Sequence, residues 1–220
     1  MGADGVNTRD RILEMARVMF NEEGATRVST NHIAAALHMS PGNLHYHFHS
    51  RRDIVRAHFE ALVVEHAPLW IGIVPGESGI LRLIDLWYYG LQIELKYRYF
   101  YRDFHSLWRE DPGLKDIHSA VFEERRQRVD MFISGCQLRG VLLDSDQTAA
   151  VDVNLAVWLL STMWLSFQDV LDRPATDETL LAGVRLCVRA IEPHVVPDLR
   201  ESVWRYFAEF SDARLSDPNK

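Results

Sequence analysis

Val28-Ser-Thr-Asn-His-Ile-Ala-Ala-Ala-Leu37, followed after His38 by Met39-Ser-Pro-Gly-Asn-Leu-His-Tyr-His-Phe48, is the stretch on which the reading of this chain turns. Ser29 or Thr30 offers a hydroxyl that can cap a helix, and Ile33, Ala34 and Leu37 then mark the apolar face of a short helix ending near His38. Met39 and Ser40 form a turn. Pro41 suits a first helical position, where the N–H it lacks has no intrahelical partner, so another short helix is expected from Pro41 to about His47. Leu44 and Phe48 anchor it, with Ile33 and Leu37, in the core of a small helical unit.

Working outward, Ile12, Leu13, Ala16, Met19 and Phe20 recur at spacings of three and four between Thr8 and Glu23, which predicts a longer first helix stopped by Gly24. Downstream, His49 and Ser50 break the pattern. A fourth helix is expected from Arg51 towards Pro68, carrying Ile54, Val55, Ala57, His58, Phe59 and Leu62. Two short helices resting on a longer one form the architecture that places one helix in a DNA major groove while another crosses the backbone. Thr30, Asn31, Ser40, Asn43, His45, Tyr46 and His47 are polar groups on elements too short to bury them all, and each can hydrogen-bond a phosphate or a base edge. A plain helical subdomain remains an alternative, as does Thr30 acting as a cap, a role compatible with phosphate contact. His45 and His47 are two residues apart and share no helix face, and no Cys is near, so no metal site is expected.

The formal charge of −7 argues at first against nucleic acid, but its distribution reverses that. Residues 1–60 hold seven Arg against seven Asp or Glu and six of the ten His, so the whole acidic excess lies beyond them. With 47% apolar and 25% charged residues over 220 positions, the chain has ordinary globular composition and length for a sizeable core. Cys136 and Cys187 are too few for a disulfide framework and suit a reducing compartment. Met1 to Asn7 is short and polar, without the apolar run of a secretion signal, and Leu155 to Phe167 is too short to span a bilayer. The expectation is a cytoplasmic protein with no membrane partner.

Pro68, Gly72, Pro75, Gly76 and Gly79 form the densest cluster of helix breakers and mark a boundary. Helical periodicity then runs over 80–110, 112–138, 146–171 and 176–191, punctuated by Asp111-Pro-Gly, Arg139-Gly140 and Arg173-Pro174, with a last amphipathic segment from Leu199 to Phe210. Nothing alternates with period two for long enough to make a sheet. The expected organisation is all-α: a three-helix helix-turn-helix domain at 1–50, a connecting helix at 51–67, a linker at 68–79, a larger helical ligand-binding and dimerisation domain at 80–211, and a frayed tail at 212–220. Aromatic density between Leu86 and Trp108 predicts an effector pocket lined by some of Trp87, Leu91, Phe100, Phe104, Trp108, Met131 and Trp158, although each aromatic alone also suits core. Arg102, Asp103 and His105 are expected to hold an effector's polar end or to form surface pairs. The helices 146–171 and 176–191 carry surplus apolar surface. With the small residues Ala156, Ser161 and Ser166, that predicts a homodimer through residues 146–191.

The two quoted runs, together with Ser50-Arg-Arg-Asp-Ile-Val55 and the first-helix residues Ile12, Ala16, Phe20 and Gly24, resemble the signature of the TetR (tetracycline-repressor-like) family over about residues 8–60. The resemblance implies a homodimeric, all-helical repressor that binds double-stranded operator DNA and whose C-terminal domain takes a small effector that alters the separation of the two DNA-reading heads. By position, it implies that Thr30 is a phosphate-binding hydroxyl and that Asn31 reaches a base edge. Pro41, Gly42 and Asn43 form the tip of the recognition helix, His45, Tyr46 and His47 match a stretch commonly Tyr-His-Tyr, and Arg51 matches a phosphate contact. Pro41 stands where Lys or another polar residue is frequent and cannot read a base by hydrogen bonding; His49 stands where Pro is frequent. Tyr99-Phe-Tyr-Arg-Asp-Phe-His105 and Asp111-Pro-Gly-Leu114 resemble one subgroup of effector domains, without naming a ligand.

The expected function is therefore a transcriptional regulator, a repressor, whose operator affinity answers to a small, mostly apolar effector, with no cofactor. One alternative is a helical interaction or adaptor protein. The other is a helical enzyme using Glu123, Glu124, His105 or His118, but Glu123-Glu-Arg-Arg126 and Arg128 read as a solvated charge run, and no nucleophile–base pair or phosphate-binding glycine loop accompanies them.

Overall fold

The computed structural model describes residues 7–144 and 147–216, without the side chains of 147–150. The N-terminal residues 1–6, the expected helix start at Asp146 and the tail residues 217–220 lie outside the described residues. Among those described, eleven α-helices follow in order: α1 (Thr8–Glu23), α2 (Thr30–Ala36), α3 (Pro41–His47), α4 (Arg51–His66), α5 (Glu77–Lys96), α6 (Arg98–Arg102), α7 (Phe104–Glu110), α8 (Pro112–Leu138), α9 (Gln147–Val170), α10 (Asp177–Ile191) and α11 (Pro197–Leu215). Two short 3-10 turns, Ala67–Trp70 and Glu192–His194, and one isolated bridge between Leu142 and Val195 complete them, so the fold is all-α.

The chain forms two compact units, one of 7–65 with 97–119 and one of 66–96 with 120–216. This division differs from the expected one. Instead of one domain at 80–211, the segment 97–119 packs with the N-terminal helices, and the expected helical run 80–110 breaks at Tyr97 and Asp103. The physical reason lies at the end of α1. Gly24 leaves the helix at a φ of 93°, in the left-handed region that favours glycine. The carbonyls of Phe20 and Asn21 accept from the Arg102 guanidinium at 2.9 and 3.1 Å, and Asp103 Oδ2 accepts from the Ala25 N–H at 2.7 Å. Arg102 and Asp103 thus satisfy a helix terminus rather than an effector. Asp111 adds a bidentate pair with Arg56 of α4 at 2.6 Å on both arms and also accepts from the Leu114 N–H at the start of α8. Arg56 holds the Asp111 carboxyl below the usual carboxylate range.

Inside this unit, Ile12, Ala16, Phe20, Ile33, Ala34, Leu44, Phe48, Ile54 and Val55 are buried, while Leu37 is only half-buried. His58 sits in the same core. Its Nε2 donates to the Leu13 carbonyl at 2.9 Å, and its Nδ1 and the Tyr99 hydroxyl share a hydrogen bond at 2.9 Å.

The second unit is built on α5, α9, α10 and α11, around Ile84, Tyr88, Leu91, Leu165, Leu180, Val184, Cys187, Val188 and Val203. Helix α5 begins inside the expected linker, with Gly79 packed so closely that a Cβ there would stand 1.9 Å from the Val74 carbonyl oxygen. Gly183 allows a similar approach of α10 to α9: a Cβ would lie 2.6 Å from Trp164 Cδ1. Trp164 also donates from Nε1 to the Thr179 carbonyl at 2.8 Å. Helix α11 runs on to Leu215, through residues 212–215 of the expected frayed tail, because Phe207 and Phe210 pack on the core and Arg214 lies against Tyr88 and Tyr89.

Candidate DNA interface and candidate effector cavity

Two capped starts set the geometry of the helix-turn-helix. Ser29, not Thr30, caps α2: its hydroxyl accepts from the His32 N–H at 3.2 Å, and His32 Nδ1 accepts from the Ser29 N–H at 3.4 Å. Thr30 is thereby the first helical residue, half-buried, with its hydroxyl outside the capping pair. Ser40 caps α3, its hydroxyl accepting from the Asn43 N–H at 3.2 Å, and Pro41 takes the first position as expected. The turn between the helices passes through His38 at a φ of 53°, a conformation uncommon for residues other than glycine but enriched for His.

These starts fix which faces point outwards. Leu44 and Phe48 are buried, which leaves Asn31, Ser40, Pro41, Gly42, Asn43, His45 and Tyr46 exposed and His47 half-buried. Tyr46 is 82% exposed, an aromatic side chain held out of the core. A Cβ on Gly42 would meet nothing within 4 Å, so no internal packing demands glycine there; its small size leaves room for an approaching backbone. The rings of His45 and His49 lie 4.9 Å apart, but among the described residues no group of three or more His, Cys, Asp or Glu is placed to hold a metal.

One expected DNA contact is engaged elsewhere. Arg51 donates to the Thr26 carbonyl at 2.9 Å and pairs with Glu110 of α7. A guanidinium so occupied ties the loop after α1 to α7. Arg52, beside it and exposed on the first turn of α4, carries the cation that the sequence reading passed over. Exposure rather than residue type distinguishes the two.

The second unit encloses a cavity of about 160 Å³. Its walls come from α5, α8 and α9, with His66 and Trp70 before α5, Ile191 at the end of α10 and His194 after it. Three expected lining residues, Trp87, Leu91 and Trp158, are on it. The other four are not. Phe100, Phe104 and Trp108 pack in the first unit, where Phe100 stacks on Phe59 at 5.2 Å and Phe104 and Trp108 enclose His118 at 5.2 and 4.7 Å. Met131 is 68% exposed. Ser161, expected on a subunit contact, instead lines the cavity, and its hydroxyl and that of Thr162 donate back to the Trp158 carbonyl at 3.1 and 2.7 Å. Glu94 and Arg125 bring ionisable groups to an otherwise mostly apolar wall, and neither was singled out as a ligand residue. Glu94 follows Leu91 by three residues and Trp87 by seven, so it falls on the buried stripe of α5.

No helix among the described residues is long and apolar enough to cross a membrane. Comparison with known proteins places the whole arrangement. A family model described as bacterial regulatory proteins, tetR family, matches residues 12–58, and one described as bacterial transcriptional repressor matches 81–203. An HTH-type transcriptional regulator of Staphylococcus aureus is 39% identical over 54 residues, a stretch covering 24% of this chain and 29% of that protein. A TetR-family transcriptional regulator from Marinobacter aquaeolei VT8 shares the fold at a TM-score of 0.80 and 24% identity, over 93% of this chain and 99% of that one. A transcriptional regulator from Saccharomonospora viridis, solved in complex with choline, superposes at a TM-score of 0.65 and 22% identity, over 86% and 97% of the two chains. With one family model on its helix-turn-helix and another over more than half of its length, the chain belongs to the TetR family of bacterial transcriptional regulators.

Proposed function

We propose that the protein is a homodimeric repressor in the cytoplasm that reads double-stranded operator DNA with α3 and answers to a small, mostly apolar effector held in the second unit. The observation that carries this reading is the α2–α3 pair, whose capped starts leave Thr30, Asn31, Pro41, Gly42, Asn43, His45, Tyr46 and His47 as one largely exposed polar set. Arg52 takes the phosphate role in place of Arg51. Asn43, the first side chain of α3 able to hydrogen-bond a base edge, sets sequence preference, since Pro41 and Gly42 have no side-chain donor or acceptor.

Dimerisation is supported by α9. Val151, Leu155, Leu159, Met163 and Phe167 recur every four residues and are exposed, while Val153, Val157, Leu160 and Trp164 pack on the core. An apolar stripe of this kind suits the same stripe of a second copy, and two-fold symmetry matches a palindromic site. The cavity supports effector control, and the choline bound by the Saccharomonospora viridis regulator is a small-molecule precedent on this fold.

The test is selection of binding sites from a pool of random duplexes, followed by mobility shifts in excess competitor. A repeated, two-fold symmetric site is the expected result. Asn43→Ala should change which site is selected, at a cost of about 1–3 kcal/mol at particular positions. Arg52→Ala should weaken all sites alike and lower the salt slope by about one unit. Recovery of no preferred site would overturn the reading.

A further inference from the structure

We propose that the cavity of the second unit receives an organic amine, an aromatic-sized body whose nitrogen is held by the carboxylate of Glu94. The proposal rests on the reading of this cavity as the effector site and names the class of ligand. Glu94 is 5% exposed on α5, and its Oε2 has no hydrogen-bond partner among the described residues. Of the buried side-chain polar atoms left in that state, it is the one on the cavity wall. Other polar groups there are already served: Ser161 and Thr162 donate to their own helix, and Asn154 donates to Asp130. A buried carboxyl oxygen without a donor costs free energy, and a ligand N–H relieves it.

Three further features fit an amine. Burial pushes the Glu94 carboxyl well above the usual carboxylate range, and the guanidinium of Arg125 on α8 draws it back only in part. The other titratable groups around it are His66 and His194 on the cavity wall and Cys187 of α10. Burial, and then the proximity of Glu94, push the Cys187 thiol up to about 12. Burial thus favours the protonated form of Glu94, and an ammonium that pairs with the carboxylate sends that proton to solvent. The wall also carries Trp87 and Trp158, besides Trp70 over whose ring Arg128 lies, and indole is the best aromatic partner for a cation. Finally, about 160 Å³ is room for a single ring with a short side chain, since an apolar cavity of about 150 Å³ accepts benzene.

The experiment uses the full chain and three probes of one shape: 2-phenylethylamine, 2-phenylethanol and 3-phenylpropionate. Calorimetry at neutral pH, repeated in buffers of different ionisation enthalpy, reads affinity and proton release together. In the wild-type protein the amine should bind at least about tenfold more tightly than the alcohol or the acid and release up to one proton, the exchange expected of a buried acid that ionises on pairing. Glu94→Gln should lose that preference and the proton release while keeping its affinity for the alcohol. Amine binding unchanged in Glu94→Gln, preference for the acid through Arg125, or binding of none of the three probes would each overturn the proposal. The selectivity measured on the wild-type protein stands whether or not the variant folds. Mobility shifts on the selected operator separate this from the regulatory reading. An amine that binds through Glu94 without changing operator affinity overturns effector control and leaves the amine site standing. Operator binding that persists while no amine binds overturns the amine site and leaves the reading of operator DNA standing.

Discussion

Two aromatic groups of similar composition have opposite fates in this molecule. Phe100, Phe104 and Trp108 lie in the first unit, packed against Phe59 and His118. Trp70, Trp87 and Trp158 surround the cavity of the second unit, beside Glu94, whose Oε2 has no hydrogen-bond partner among the described residues. In the first group each ring packs on another ring, Phe100 buried and Phe104 and Trp108 half-buried, so that aromatic area contributes to stability. In the second, part of that area faces an unfilled volume, and the contacts missing there are available to a ligand. Aromatic density alone therefore does not identify a binding site; the element carried on the other side of the ring does.

The comparison breaks first on truncation. Phe100, 2% exposed, should cost about 3–5 kcal/mol when changed to alanine, because a large buried ring is lost from a closed core. Chemical denaturation measures this, and a loss below about 1 kcal/mol would make the first group no tighter than the second. Trp158 is half-buried, with one face towards Phe122 at 4.9 Å and the cavity beside it. Trp158→Ala should cost roughly half as much as Phe100→Ala, since less surface returns to water, yet weaken 2-phenylethylamine more strongly. Equal effects of both variants on ligand affinity would erase the distinction.

Glu94→Gln sharpens the contrast further by raising stability. The folded chain keeps a proton on Glu94 that the unfolded chain gives up, so wild-type stability falls as pH rises from the ordinary carboxylate range towards the raised value. Glutamine lacks that penalty. The melting temperature of the variant should exceed wild type at neutral pH, and the gap should close as pH falls into the carboxylate range. Asp111 in the first unit works with the opposite sign: its carboxyl is held low by Arg56, so the stability it supplies is present at neutral pH and is lost on acidification. The smallest expected effect is on DNA. Arg51→Ala should lower thermal stability slightly by releasing Thr26 and Glu110, while the salt slope of operator binding stays unchanged. A slope reduced by about one unit would restore Arg51 to the phosphate contacts.

Much of the first unit was legible because its signals are local. Thr8–Glu23 and Pro41–His47 are the helices that the apolar spacing, Gly24 and Pro41 predict, since caps and stripes act within a few residues. The same locality made Arg51 misleading. Its position at the head of α4 is plain in sequence, but its partners Thr26 and Glu110 are 25 and 59 residues away. The assignment of 97–119 to the first unit escaped for the same reason. It depends on Arg102 and Asp103 reaching the end of α1 and on Asp111 reaching Arg56, pairings between residues far apart in the chain.

By itself the sequence determined the helical class, the helix-turn-helix with its outward polar residues, and the apolar surplus of α9, because periodicity and capping are written in neighbouring residues. Tertiary structure alone decided which aromatics close a core and which line a cavity, which arginine stays exposed beside α3, and that Glu94 Oε2 stands buried without a hydrogen-bond partner among the described residues. Each of these depends on what the opposite element presents, and no spacing within one helix encodes that.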